Sequence, residues 1–174
     1  MKVFFLTIAL SLFSILQAEE STSSGEVLGG TYYINAVVAD TEFPEDERPK
    51  ALSPVTISFL NDGNVEASFT VRKDGKCKEI KGKLEKTDNP NEFTIDEGRY
   101  HVYVTKTSAP DSWILLFEGE FKGKQVKVVK LLGPNAEVDP EALNEYQEFI
   151  REKGFNERRV ISPEQEEACT PEDA

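Results

Sequence analysis

Hydrophobic and polar residues alternate with a period of two along most of the chain after residue 28. Val55, Ile57 and Phe59, for example, are separated by single polar residues, and the stretch 65–72 repeats this alternation. Because successive side chains of a β-strand point to opposite faces, the pattern predicts strands with one buried and one exposed face.

Short turn sequences separate these stretches. Asp-Gly pairs within 60–64 and 72–76 supply the positive φ that a tight hairpin requires. Counting the segment 32–39 as the first strand, eight strands are predicted, most of them joined by short turns. Successive hairpins of this number are typical of an all-β, eight-stranded antiparallel up-and-down barrel, whose interior can hold one small ligand. A β-sandwich is the alternative, since strand count alone does not exclude it.

One amphipathic helix is predicted after the last strand. Asp139 is a suitable N-cap, Pro140 fits the first helical turn, and Gly154 follows the last residue of the pattern. Apolar residues over about 139–153 recur at helical spacing, which predicts a C-terminal α-helix packed on the outside of the barrel. A helix that binds a partner is the alternative.

Strand alternation also predicts which side chains point into the barrel. Such a lining suits either a ligand cavity or a solid core. The residues assigned to the interior, and therefore to ligand binding, are Ile34, Ala36, Val55, Ile57, Phe69, Val71, Leu84, Tyr100, Val102, Val104, Leu115, Phe117, Val128 and Lys130.

Lys130 is the one charged residue assigned to this lining. An inward ammonium without a partner is costly, so a ligand carboxylate would be its partner. The alternative is that Lys130 lies near the rim with its charge in water, or that a bulge turns it outward.

The first 18 residues predict a secretory signal peptide, because one early lysine precedes a long apolar run that ends at a small residue. A membrane anchor is the alternative, but the run is shorter than the roughly 20 residues that span a bilayer. The mature chain is therefore predicted to be secreted and extracellular, without membrane insertion. It would comprise a flexible segment 19–28, one domain over 29–169 and a polar tail 170–174.

The net charge and the two cysteines each give one further prediction. The formal net charge of −12 repels phosphate backbones and argues against nucleic acid as a partner. Cys77 and Cys169 are the two cysteines, and in a secreted chain they predict one disulfide. A pair of free reactive thiols is the alternative.

Candidate catalytic residues are few. His101 is the single histidine, and it should face outward because its neighbours Tyr100 and Val102 are assigned inward. The cysteines are assigned to the disulfide, and the carboxylates lack metal-ligand spacing. We therefore expect no catalytic residue, no metal and no cofactor, and the protein is not expected to be an enzyme.

Several segments, taken in order, resemble the tear lipocalin (von Ebner's gland) and late lactation protein subgroup of the lipocalins over essentially the whole mature chain. They are GGTYYINAVVAD, FPE, GNVEA, LEKTD, FEGEF, VKLLG and EALNEYQEF. The strand count, the single helix and the cysteine pair fit the same family. The resemblance implies carriage of small apolar molecules, and it favours a cavity over a solid core.

The chain departs from the lipocalin pattern at the closed end of the barrel. Tyr32 stands where the family usually has tryptophan, and Pro134 stands where the similar proteins have arginine. The usual cation–aromatic closure is therefore not expected in that form. The resemblance instead implies that Tyr32 plugs the barrel floor and belongs to the ligand-binding set.

Two functions fit these observations. One is a carrier of fatty acids, other lipids, odorants or pheromones in an exocrine fluid such as milk, tears or saliva. Its expected partners are a small hydrophobic ligand and a candidate cell-surface receptor, and the protein would be a monomer or weak dimer. The alternative is a protease inhibitor or a nutritive secretory protein that acts through its exterior.

Overall fold

The computed structural model describes residues 28–41 and 51–171. The predicted signal peptide, nearly all of the predicted flexible segment 19–28 and the last three residues of the predicted tail lie outside the described residues.

Eight antiparallel strands form a closed barrel, and two short strands form a separate parallel pair. In chain order the strands are β1 (Gly30–Ala39), β2 (Ala51–Leu52), β3 (Val55–Phe59), β4 (Val65–Lys73), β5 (Lys76–Lys86), β6 (Glu92–Ile95), β7 (Tyr100–Lys106), β8 (Trp113–Phe121), β9 (Lys124–Gly133) and β10 (Glu164–Gln165). The barrel order is β1-β3-β4-β5-β6-β7-β8-β9, while β2 pairs with β10. The predicted up-and-down barrel is confirmed, and closure of the sheet excludes the sandwich.

A change of register in β1 alters which residues face the interior. Ile34 lies opposite Leu132 of β9, but Ala36 lies opposite Leu131, so β1 carries one extra residue at Asn35. Such a bulge shifts the alternation by one residue from that point onward. The inward orientation expected for Ala36 is therefore wrong, because the regular alternation of the sequence does not reveal the bulge.

Asn35 stabilises this bulge. Its side-chain amide donates hydrogen bonds to the carbonyls of Asn135, at 3.0 Å, and Ala136, at 3.4 Å. Gly133 leaves room for it, since a Cβ there would lie only 2.3 Å from the Asn35 Oδ1 atom. The bulge is thus held by contacts with the segment that follows β9.

The helix α1 (Pro140–Glu152) corresponds to the helix predicted over about 139–153. The Asp139 carboxylate accepts hydrogen bonds from the backbone N–H groups of Glu141, at 2.9 Å, and Ala142, at 3.1 Å. These bonds satisfy two donors that the first turn of a helix cannot pair internally.

The apolar face of α1 packs on the outside of the barrel and forms what we call the outer core. Tyr146, fully buried there, donates a 2.8 Å hydrogen bond from its hydroxyl to the carbonyl of Val129 on β9. Burial raises the pKa of this hydroxyl, so it remains a donor. The outer core consists of Ala36, Val38, Ala109, Ile114, Leu116, Val129, Leu131, Ala142, Tyr146, Ile150 and Phe155.

The chain after α1 is fastened to the barrel wall. The predicted disulfide is confirmed: Cys77 on β5 is bonded to Cys169, with their Cα atoms 6.0 Å apart. The Cys169 N–H donates to the Thr70 hydroxyl at 3.1 Å, and the Gln165 amide donates to the Ile34 carbonyl at 2.8 Å. By restricting a loop of 92 residues in the unfolded chain, the disulfide contributes about 4–5 kcal/mol on the loop-entropy estimate.

Removal of the Tyr146 hydroxyl should destabilise the protein. We expect Tyr146→Phe to lower the free energy of unfolding by about 1 kcal/mol, the typical net contribution of one buried hydrogen bond. Urea denaturation followed by tryptophan fluorescence measures this change. Tyr33→Phe is the control, because no hydrogen bond of the half-buried Tyr33 hydroxyl is found in the described part of the chain. Equal stability of the two variants would contradict the anchoring role of Tyr146.

Candidate functional site

The candidate site is the barrel interior, which is lined by a second apolar cluster distinct from the outer core. Its buried members are Leu28, Tyr32, Ile57, Val65, Phe93, Val102, Trp113, Leu115 and Leu132, and its partly buried members are Val55, Leu84, Ile95, Val104 and Phe117. All eight barrel strands face this space, as the alternation of side chains in a closed sheet requires.

All but one of the residues assigned to the interior from the sequence face it. Eight belong to the inner cluster: Tyr32, Val55, Ile57, Leu84, Val102, Val104, Leu115 and Phe117. Strand register places six more on the same face: Ile34, Phe69, Val71, Tyr100, Val128 and Lys130. Their assignment to ligand binding stays a prediction.

Ala36 is the exception, and two other residues of β1 take its place. Beyond the bulge, Val37 lies opposite Lys130 and Ala39 lies opposite Val128, so both point inward. Trp113 was also missed, although its position two residues before Leu115 on β8 would have indicated an inward side chain. Nothing in the local sequence of β1 indicates where its alternation shifts.

Open space lies inside the barrel along β5. Gly82 of β5 points inward, and a Cβ added there would meet no atom within 4 Å. Ile80 and Phe121 also lie on the inner face, yet 43% and 46% of their surfaces are exposed. Large apolar side chains left uncovered on a concave wall are typical of a site for an apolar ligand.

An aromatic pair closes the other end of the barrel. Tyr32 and Trp113 are both buried in the inner cluster, and the Tyr32 hydroxyl donates to the Gly29 carbonyl at 3.4 Å. Burial raises the pKa of Tyr32, and the Trp113 side chain offsets part of this rise. Lys106 places its Nζ 5.8 Å from the centre of the Trp113 ring. A cation–aromatic closure is therefore present, built from β7 and β8.

Lys130 lies well below the barrel mouth, level with Leu115 on β8 and Val37 on β1. Its Nζ is 4.9 Å from the centre of the Phe117 ring, an attractive cation–aromatic contact. Within the described residues no carboxylate forms an ion pair with it. Burial lowers the pKa of Lys130, because the surrounding protein disfavours the charged form. Strand register therefore places Lys130 on the inner face, and its role in ligand binding stays a prediction.

Tyr100 occupies the mouth of the barrel opposite Gly119 of β8. A Cβ on Gly119 would lie 2.1 Å from the Tyr100 ring, so the ring rests directly on the glycine. Because residue 119 has no side chain, the Tyr100 ring can pack directly against its backbone.

His101 and the acidic residues lie apart from the interior. His101 faces outward, as expected, with its Nδ1 2.9 Å from a Glu92 carboxylate oxygen. Over residues 28–41 and 51–171, no group of three His, Cys, Asp or Glu side chains is placed to hold a metal ion. Over the same ranges, no helix is long and apolar enough to cross a bilayer.

Substitution of the inward Gly82 and Gly119 should distinguish a tightly packed wall position from one that faces open space. Gly119→Ala should displace the Tyr100 ring and destabilise the protein by about 1–3 kcal/mol, the usual cost of overpacking. Gly82→Ala should leave stability within about 1 kcal/mol of the parent, since its methyl group enters empty space. Thermal unfolding and the near-UV circular dichroism of tyrosine report both effects. Comparable destabilisation by both variants would show that the wall at Gly82 is packed.

Comparison with known proteins agrees with this geometry. The sequence profile of the lipocalin / cytosolic fatty-acid binding protein family matches residues 29–167. The chain is 52% identical over 172 residues to late lactation protein B of Notamacropus eugenii, covering 99% of each chain. It is 34% identical over 172 residues to von Ebner gland protein 1 of Rattus norvegicus, covering 97% of each chain.

A solved structure supports the fold independently. The siderocalin Ex-FABP superposes with a TM-score of 0.68 over 80% of this chain and 95% of its own, at 21% identity. This likeness concerns the barrel architecture alone. The family profile and the related milk and gland proteins establish that the chain belongs to the lipocalins, a family of small-ligand carriers rather than enzymes.

Proposed function

We propose that this protein is a secreted carrier of small hydrophobic molecules, which it binds inside the barrel in an exocrine fluid such as milk, tears or saliva. The open, apolar inner wall around Gly82, Ile80 and Phe121 carries this proposal. Relatives named late lactation protein and, at 31% identity, vomeronasal secretory protein 1 of Mus musculus support a secretory fluid. Fatty acids, other lipids, odorants and pheromones are the candidate ligands.

Affinity would come mainly from the removal of apolar surface from water. Burial of such surface contributes about 25 cal/mol per Å², so a long alkyl chain gains more than a short one. Part of that gain is offset by ordering of the ligand. The lining near Phe69, Val71 and Phe117 is suited to this contact, because these inward side chains are only partly buried.

Within this function we assign Lys130 to the recognition of an acidic ligand. Its ammonium has an aromatic neighbour but no carboxylate partner within the described residues. A ligand carboxylate would supply the missing charge at the half-buried Lys130, where an ion pair is stronger than at the surface. This role favours fatty acids over neutral lipids of the same length.

Occlusion of the interior tests the location of the site. Leu115 is buried on the inner wall opposite Val104, so the indole of Leu115→Trp would fill ligand space. We expect affinity for a fluorescent fatty acid to fall at least about tenfold, or about 1.4 kcal/mol, in a folded variant. A displacement titration measures it.

The control for this substitution must place the indole outside the barrel. Ser58→Trp serves, because Ser58 is exposed on the outer face of β3 opposite Glu66. The neighbouring Leu116 is unsuitable, since it faces outward but is buried in the outer core. Unchanged affinity in folded Leu115→Trp would exclude the interior and favour a function of the exterior, such as protease inhibition or nutrition.

Neutralisation of Lys130 tests the role of its charge. Lys130→Met keeps most of the side-chain length and removes the ammonium, so it should weaken fatty-acid binding by about tenfold or more. Binding of the fatty alcohol of equal length should change little, because the alcohol carries no charge to neutralise. Isothermal titration calorimetry on both ligands measures the difference.

Lys127→Met is the matched control, as Lys127 lies on the outer face of β9 and pairs with Glu118 at 3.7 Å. It should affect neither ligand. An equal loss of acid and alcohol binding in Lys130→Met would assign Lys130 to the shape of the cavity rather than to charge recognition.

A further inference from the structure

One side of β5 is an edge although the barrel is closed. β5 pairs with β4 along Lys76–Leu84, but it pairs with β6 only at Glu85 and Lys86. Within residues 28–41 and 51–171, no strand pairs with the side of Lys76–Leu84 that faces away from β4, which we call the β5 edge. Alternate residues of an antiparallel strand direct their backbone N–H and C=O groups to opposite sides. About half of the backbone groups of this segment therefore point to the β5 edge.

The β5 edge is exposed and held in an extended shape. All of its residues are exposed except Cys77 and Leu84, which are half-buried, and 43% of the surface of Ile80 is accessible. The ladder with β4 and the Cys77–Cys169 disulfide keep the strand in place, so little further ordering is needed for another strand to pair with it. Such an edge is a template for strand pairing, which edge lysines normally hinder. The charges that lie opposite each other therefore decide what can dock.

Pairing with a second copy of the chain has a register in which these charges are complementary. Two copies related by a twofold axis perpendicular to the sheet are antiparallel and pair about one central residue. With Ile80 at the centre, Glu79 of each copy lies opposite Lys81 of the other, and Lys78 lies opposite Gly82. Opposite charges in directly opposed positions attract each other. The sequence of β5 is thus self-complementary about Ile80.

The neighbouring registers lack this complementarity. With Lys78, Glu79 or Lys81 at the centre, that residue would lie opposite its own copy and the two identical charges would repel. With Gly82 at the centre, Lys81 would lie opposite Lys83. A parallel arrangement would place every lysine level with its own copy. The lysines of β5 therefore select one way of pairing and oppose the others.

We propose that two copies of this protein associate by antiparallel pairing of their β5 edges, centred on Ile80. This inference is independent of the carrier function proposed above. Glu79 and Lys81 flank the inward Ile80 and so face outward, and within one chain their charged groups lie 3.8 Å apart. Pairing joins two such pairs into one cluster of alternating charge, while the two Ile80 side chains meet on the inner face. Each copy uses the edge of the other, so assembly stops at the dimer.

The dimer is weak. A single pair of strands forms a small interface, and interfaces below about 1,200 Å² are typical of transient complexes. The net charge of −12 on each chain also opposes the approach of two copies. We therefore expect a Kd between about 10 µM and 1 mM.

Charge reversal at the β5 edge tests the register. Sedimentation velocity of the predicted mature chain, from about 10 µM to 1 mM in about 0.15 M NaCl, should show a shift from monomer to dimer. Glu79→Lys and Lys81→Glu each place like charges opposite each other in the dimer. Each should raise the Kd at least about tenfold, or about 1.4 kcal/mol.

An equimolar mixture of the two variants is the decisive sample. In a mixed dimer the introduced ammonium of Glu79→Lys lies opposite the introduced carboxylate of Lys81→Glu. The unchanged Lys81 of the first chain lies opposite the unchanged Glu79 of the second. The mixture should therefore associate at least as tightly as the wild type, a recovery that a loss of folding in either variant would prevent.

The control variants make the same changes of charge away from the β5 edge. Glu120→Lys and Lys127→Glu lie at exposed outer-face positions of β8 and β9. Neither variant, alone or mixed with the other, should alter the Kd by more than about twofold. A dilution series of wild-type protein followed by amide NMR needs no substitution, and the signals of Cys77–Lys83 should shift with concentration while those of β9 remain in place.

Several results would overturn the proposal. Wild-type protein that remains monomeric at about 1 mM does not pair through β5. A dimer unaffected by Glu79→Lys and Lys81→Glu uses another surface, and equal weakening by the control variants shows an effect of overall charge. Failure of the mixture to associate contradicts the register centred on Ile80. Species larger than a dimer contradict the twofold closure.

Discussion

The pairing of β1 with β9 is the interaction on which the rest of the structure depends, because it closes the sheet and so gives every strand an inside and an outside. Along this seam the inner face contributes Val37 and Lys130, and the outer face contributes Val38 and Val129. The outer face is then covered by α1, whereas the inner face encloses a space. Two apolar clusters with different packing follow from one closed sheet.

Most of the fold follows from local pattern, because the side chains of the barrel strands alternate with a period of two and two of the hairpin turns carry Asp-Gly. The inner face of β8, for instance, can be derived from Leu115 and Phe117 alone. The inner face of β9 then follows from its antiparallel pairing with β8. The bulge at Asn35 cannot be derived in this way, since it depends on acceptors in the segment 135–136, a hundred residues away. A contact of that range fixes whether Ala36 or Val37 points inward.

The closure of the barrel floor shows a similar limit. The lipocalin resemblance predicts Tyr32 as a floor residue, and with tyrosine in place of tryptophan the usual cation–aromatic closure is not expected. The structure restores the closure with Trp113 from β8 and with the Lys106 ammonium above the indole. These residues meet Tyr32 only once the barrel is closed, so their shared role depends on the tertiary structure rather than on the sequence around any one of them.

The packed core and the proposed binding site lie on opposite sides of the same wall. Tyr146, Ile150 and Val129 in the outer core are completely buried, while the inward Ile80 remains largely uncovered. Residues around the open space inside the barrel make fewer packing contacts, which lowers stability. Lys130, which has no carboxylate partner among the described residues, adds a desolvation cost. The outer core and the Cys77–Cys169 disulfide offset these costs without filling the cavity. Variation of the inner residues can therefore alter the proposed binding site while the outer core continues to hold the barrel closed.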